Sequence, residues 1–241
     1  MRTTPPRFGE TRPFLDDIST RWAIVGDPIQ FVMRYAPAIE RYLHAIVRDP
    51  SVAEEIIQDF VVKMLDRRFD RAAPGGGRFR SYLKQAIRNA VREHFRRRRP
   101  ESLPDDMLAE YAVDAAADSA AERAWADEWR SCLLERAWQS LELRQRRSPG
   151  ACYFEALRAT ADHPELASTA LAALLSDRCG RPVSAATCRQ WLSRGRRLMA
   201  ECVWDETAAT LEHPHPADVR DELASLGLME FVRGYLPDHA G

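Results

Sequence analysis

AEEIIQDFVVKMLD, residues 53–66, and, after a glycine-rich break, FRSYLKQAIRNAVREHFRRRR, residues 79–99, read as two successive amphipathic helices. The first has an acidic outer face and the second a basic one. In the second, Phe79, Tyr82, Leu83, Ala86, Ile87, Ala90, Val91, His94 and Phe95 recur at the helical period and form one apolar stripe. Opposite it, Arg80, Lys84, Arg88, Arg92 and Arg96 follow one another at every fourth position, offset between Arg78 and Arg99 only by Glu93. An ordinary solvated face mixes signs to gain pairs one turn apart. A one-signed row ending in four arginines, Arg96 to Arg99, suits a polyanion, because each neutralised phosphate releases counterions whatever the base sequence.

In the first helix Ile56, Ile57, Phe60, Val61, Met64 and Leu65 face inward, while Glu55, Gln58, Asp59 and Val62 face outward. Val62 amid an acidic stripe is what a helix docking on another helix needs, an apolar centre with a polar rim. Between the helices, Asp66 to Arg78 forms a loop. Its Gly75-Gly76-Gly77 is not a phosphate loop, since no Lys-Ser or Lys-Thr follows and no strand precedes it.

These two stretches resemble region two of extracytoplasmic-function sigma factors of bacterial RNA polymerase, of the sigma-70 family. Ala53, Glu54, Glu55, Gln58 and Asp59, then Phe79, Tyr82, Leu83 and Asn89, match its pattern in order and spacing. Thr20-Arg21-Trp22, with Tyr35 and Pro37, resembles the planctomycete-type branch. The resemblance implies that Glu54, Glu55, Gln58, Asp59 and Val62 bind the clamp helices of core polymerase. It further implies that Phe69, Arg80, Tyr82, Lys84, Arg88, Asn89 and Arg92 contact the −10 element, with Phe69, Tyr82, Lys84 and Asn89 around an unstacked base. Rings and amides beside cations suit that task, because extruded bases are held by stacking and by hydrogen bonds to their edges. Phe79 is read as core packing, and Tyr82 serves either role.

Composition agrees with two small helical domains. A chain of 241 residues, 45% of them hydrophobic, can bury one or two ordinary cores, and a net charge of −1 conceals strong segregation of sign. Five cysteines without a C-x-x-C pair read as reduced core residues. No apolar run reaches the length of a bilayer, and the N-terminus lacks a signal-peptide core, so a cytoplasmic protein is expected.

Residues 1–13, rich in proline, are expected to be disordered. A helix opening at Pro28 carries Tyr35, Ile39, Tyr42 and Leu43 inward, with a kink or break expected near Ala36 because Pro37 removes a backbone donor. Residues 100–121 are acidic and alanine-rich and read as a linker, partly helical at most. Trp125 and Trp129, at the start of the next helical stretch, are read as core anchors.

Glu165 to Val203 is the second informative stretch: a helix over 166–178, a turn with Gly180 and Pro182, and a second helix capped by Ser184. This is the outline of a helix-turn-helix. In the second helix Cys188, Leu192, Gly195 and Met199 form the buried edge, and Arg189, Gln190, Ser193, Arg194 and Arg197 lie opposite, with Thr187 near the helix start. These are side chains able to read base edges and phosphates. VSAATCRQWLSRGRRLM resembles sigma region four, through Ser184, Thr187, Arg189, Leu192, Arg194 and Arg196; the resemblance implies that Thr187, Arg189, Gln190, Ser193, Arg194 and Arg197 contact the −35 element. It departs from the family in a longer turn and in Gly195, where alanine is common. Glycine costs about 1 kcal/mol inside a helix unless close packing requires it. His213-Pro214-His215-Pro216 lacks further ligands for a metal and reads as a stiff hinge, followed by a tail helix over 217–232.

The sequence therefore predicts an all-α chain: a disordered start (1–13), region two (14–99), an acidic linker (100–121), region four (122–212) and a tail helix (213–241). The expected function is a sigma factor without enzymatic chemistry, metal, cofactor or small-molecule substrate. Its partners would be core RNA polymerase, promoter DNA and, as the resemblance allows, an anti-sigma factor. The competing reading is a helix-turn-helix regulator that binds DNA as a dimer without polymerase.

Overall fold

The computed structural model describes residues 28–65, 79–98, 115–148, 150–211 and 214–235, and among them the chain is all-α, with no strand. The helices are α1 (Pro28–Ile46), α2 (Pro50–Leu65), α3 (Phe79–Arg97), α4 (Ala115–Arg146), α5 (Tyr153–Asp162), α6 (Ser168–Cys179), α7 (Ala185–Ala208), α8 (Pro216–Ser225) and α9 (Met229–Arg233). They form two compact units that do not follow chain order. One comprises the described residues of Glu10–Cys132 and Ala208–Glu222, and the other those of Leu133–Thr207 and from Leu223 onward. α4 begins within the stretch read as a linker and runs past residue 121 without interruption.

In the first unit the apolar periods of α1, α2 and α3 meet around the tryptophans of α4. Trp129 stacks on Tyr35 with centroids 4.7 Å apart and rings 10° from parallel. Phe79 lies 5.4 Å from Tyr35 and 6.1 Å from Trp129, and Trp125 lies 5.3 Å from Tyr42. All five rings are buried. Aromatic burial on this scale, at about 1.5–3 kcal/mol for a large side chain, holds helices together that would be marginal alone. Asp49 caps α2, accepting from the Ser51 amide at 2.8 Å, with Pro50 at the first helical position where its missing donor costs nothing. Phe79 N–H at the start of α3 donates to the Thr210 carbonyl at 3.3 Å, so the segment after α7 returns to this unit.

The second unit packs Leu133, Ala137 and Leu141 of α4 inward and joins α5, α6 and α7 through Ala156, Ala159, Leu171, Ala172, Leu175, Cys188 and Leu192. Cys188 and Cys202 are sealed in its core, whereas Cys152 and Cys179 are half-buried; all are free thiols. The cysteines are therefore not uniformly core residues.

Two local expectations are corrected. α1 stays helical through Pro37, with no break at Ala36. The buried Tyr35, Ala38, Ile39 and Tyr42 hold both sides of the proline, which itself faces solvent and forfeits a single backbone bond. The tail is not one helix: Gly227 adopts φ 67, a left-handed conformation, and separates α8 from α9, while Leu228 N–H returns to Leu223 O at 2.8 Å.

Candidate nucleic-acid interface

α2 presents the acidic face that its period requires. Gln58 and Asp59 are exposed, and Val62, in the last turn of the helix, is 55% exposed beside them. Glu54 pairs with His44 Nε2 at 3.1 Å, and Glu55, half-buried, receives Arg98 Nη2 at 2.6 Å from the end of α3. The acidic rim is thus anchored at its N-terminal end and open around Val62.

The cationic row of α3 divides in two. At its N-terminal end, Arg80 Nε lies 2.9 Å from Glu222 Oε1 and Nη2 donates to Oε2 at 3.3 Å, with side chains only 14% and 1% exposed. Lys84 donates to Glu122 at 2.7 Å. Arg88 donates from Nη2 to the same carboxylate at 3.1 Å and from Nε to the Tyr42 hydroxyl at 2.6 Å. Farther along, Arg92 and Arg96 are exposed. Glu93, the acidic exception in the row, accepts from Lys63 of α2 at 3.1 Å and also pairs with Arg97; the Lys63 hydrogen bond is the main reason its carboxyl lies below the usual range.

These pairs are of two kinds. Lys84 and Arg88, part-buried, share a carboxylate that is 41% exposed, so this cluster stays in contact with solvent on the Glu122 side. Arg80 faces a buried carboxylate and is committed to holding α8. Asn89 is exposed, its Oδ1 accepting from Gln85 at 3.0 Å and Arg92 at 3.1 Å. Tyr82 is half-buried 6.3 Å from Phe79, and burial raises its phenol above the ordinary value. Phe69 lies outside the described residues.

Sequence reasoning did not find Tyr42, Glu122 or Glu222. Glu122 and Glu222 lie 34 and 142 positions from their arginines, and no helical period links residues so far apart.

α6, a turn at Gly180 and α7 follow one another where the sequence placed a helix, a turn and a capped helix. Gly180 ends α6 with φ 63, and its N–H donates to the Ser176 carbonyl. Ser176 Oγ accepts the Val183 amide at 2.9 Å, which ties down the longer turn. Ser184 caps α7, accepting from the Thr187 amide at 3.1 Å. Cys188, Leu192, Gly195 and Met199 are buried, and Arg189, Gln190, Ser193, Arg194 and Arg197 are exposed, with Thr187 half-buried. Arg194 lies over the Tyr153 ring at 5.3 Å and Arg197 is 4.0 Å from Glu201. Gly195 is explained by contact: a Cβ there would come 2.9 Å from the Tyr153 carbonyl oxygen, so α7 packs backbone to backbone on α5.

Residues 31–101, spanning most of α1 and all of α2 and α3, match the family model for Sigma-70 region 2. No curated protein and no solved structure matches the chain. Among the described residues, no helix is long and apolar enough to cross a membrane.

Proposed function

We propose that this chain is a sigma factor of the extracytoplasmic-function group, planctomycete-type branch, which binds core RNA polymerase and directs it to promoters. The observation that carries the reading is the Sigma-70 region 2 domain at residues 31–101, whose α2 keeps Val62 exposed within an acidic rim while α3 gathers cations opposite its buried stripe.

In this reading Glu54, Glu55, Gln58, Asp59 and Val62 dock on the polymerase. Lys84, Arg88, Asn89 and Arg92, with Tyr82 and Phe69, receive the −10 element, Glu122 yielding its two cations to phosphate as the strand arrives. Arg80 acts from behind, fixing the start of α3 through Glu222. The exposed face of α7, Thr187, Arg189, Gln190, Ser193, Arg194 and Arg197, reads the −35 element in a major groove as the second helix of a helix-turn-helix. The chain makes no bond in the reaction. It captures unstacked bases and neutralises phosphate, which offsets part of the cost of opening the duplex.

Co-purification with core polymerase followed by run-off transcription tests this directly. Polymerase that gains a defined start site with the protein present supports it. A protein that ignores polymerase but binds duplex DNA tightly as a dimer is instead the dimeric helix-turn-helix regulator.

A further inference from the structure

Midway along α3 the cationic face is covered by a carboxylate of the same unit. Glu122 of α4 accepts from Lys84 Nζ at 2.7 Å through Oε2 and from Arg88 Nη2 at 3.1 Å through Oε1, so one side chain spans two successive turns of α3. Its backbone is held in place. Ala121 and Trp125, on the same helix, are 0% and 1% exposed, which seats the start of α4 while the Glu122 side chain stays 41% exposed. Arg88 is held separately: its Nε donates to the Tyr42 hydroxyl at 2.6 Å, and Tyr42 is fully buried. The contacts with Tyr42 and Glu122 use different guanidinium nitrogens, so Arg88 keeps an anchor when the carboxylate turns away.

We propose that Glu122 is an autoinhibitory mask, an internal counter-ion that holds Lys84 and Arg88 against polyanions and lowers the affinity of the chain for nucleic acid. The proposal rests on the reading of α3 as a nucleic-acid surface and goes beyond it by assigning control of that surface to α4. The physics is competition. Each Glu122 oxygen takes a donor that a phosphate oxygen would otherwise take, so a strand must displace the carboxylate before the two cations neutralise its phosphates and release counterions. Phosphate contacts carry no sequence information, and a strand that offers them alone gains least from cations already satisfied. A strand whose bases are also stacked and bonded at their edges has binding energy left after the exchange. Arg92 and Arg96, exposed farther along α3, attract the strand in first encounter.

Depth separates this cluster from the pair at the start of α3. Glu222 is 1% exposed and stays with Arg80, whereas Lys84, Arg88 and Glu122 are 26%, 29% and 41% exposed, so a strand reaches them from solvent. Cancelling the charge of Glu122 should therefore tighten binding driven by phosphate about three- to tenfold at low salt. The competition is electrostatic and open to solvent, so the gain should shrink as salt rises.

Binding of the full-length chain to a short fluorescein-labelled DNA single strand of mixed sequence is followed by fluorescence anisotropy between about 50 and 200 mM NaCl. Glu122→Gln should bind about three- to tenfold tighter than the native chain at the low end of that range, with a smaller gain at the high end. Glu122→Ala, which removes the acceptors as well as the charge, should gain at least as much. Asp127→Asn makes the same change of charge on α4 at a residue paired with Arg130, and should gain less than about twofold. Adding Lys84→Met and Arg88→Met to Glu122→Gln should erase the gain. No gain in either Glu122 variant, an equal gain in Asp127→Asn, or a gain that survives loss of both cations would overturn the mask. Run-off transcription with core polymerase is scored apart. A chain that selects a start site but shows no gain loses only the mask; one that shows the gain but never joins polymerase keeps the mask and loses the sigma-factor reading.

Discussion

Glu222→Gln removes the counter-charge of Arg80 while keeping the shape of the side chain. In the native chain the two groups meet at 2.9 and 3.3 Å with 14% and 1% of their side chains exposed, so both charges have given up most of their water. Breaking a buried pair from one side costs about 3–5 kcal/mol, because the surviving charge stays desolvated. The amide oxygen still accepts a hydrogen bond and Arg80 keeps some water, which places the expected loss near the lower end, about 3 kcal/mol. For a unit of this size that corresponds to a fall in Tm of roughly 10 °C. Urea unfolding followed by near-UV circular dichroism reports on it, since Trp125 and Trp129 sit in the core of the same unit. Raising NaCl should leave the loss almost unchanged, because ions in solution screen a buried pair poorly. The double variant Arg80→Met with Glu222→Leu should recover most of the stability, since neither charge is then stranded. A loss under about 1 kcal/mol, or a double variant no better than the single one, would refute the claim that Arg80 is structural.

Gly195→Ala gains about 1 kcal/mol of helix propensity but forces a methyl group to within 2.9 Å of the Tyr153 carbonyl. Overpacking of this kind costs about 1–3 kcal/mol, so the variant should be less stable in urea than the wild type; a more stable variant would disprove the close contact. Val62→Asp should leave the unfolding curve unchanged, because the side chain is 55% exposed, yet weaken pull-down of core polymerase at least tenfold. Burial, opposed by Arg144, raises the Asp205 carboxyl to about 6. The folded chain then binds the extra proton between about pH 4 and 6, so this group contributes stability at the acid end of the window that is lost as pH rises through it. Asp205→Asn should flatten that part of the stability profile, and an NMR titration midpoint below pH 4.5 would contradict the shift. Arg189→Ala with Arg194→Ala should abolish −35 recognition in footprinting while polymerase binding persists; loss of both together would contradict the division of labour.

Helical period was enough to read the most deeply buried positions of α1, α3 and α7. Tyr35 and Ile39, Leu83 and Ile87, and Cys188, Leu192, Gly195 and Met199 are all buried as their spacing requires. Ser184 as a cap and the tryptophans of α4 as core anchors were legible for the same reason: a cap or an apolar stripe is set by neighbours within two turns of chain. The linear pattern was less reliable where one residue competes with many. Pro37 signalled a break that the buried side chains around it override, and the apolar spacing of the tail concealed the left-handed turn at Gly227.

What the linear order could not contain is the use made of each charge. Arg80, Lys84, Arg88, Arg92 and Arg96 look equivalent when written out, yet the folded chain buries one against Glu222, shares two with Glu122 and leaves two exposed. Periodicity is a local property fixed by the geometry of one helix. An ion pair depends on which distant segment arrives opposite, and only the closing of the core decides that.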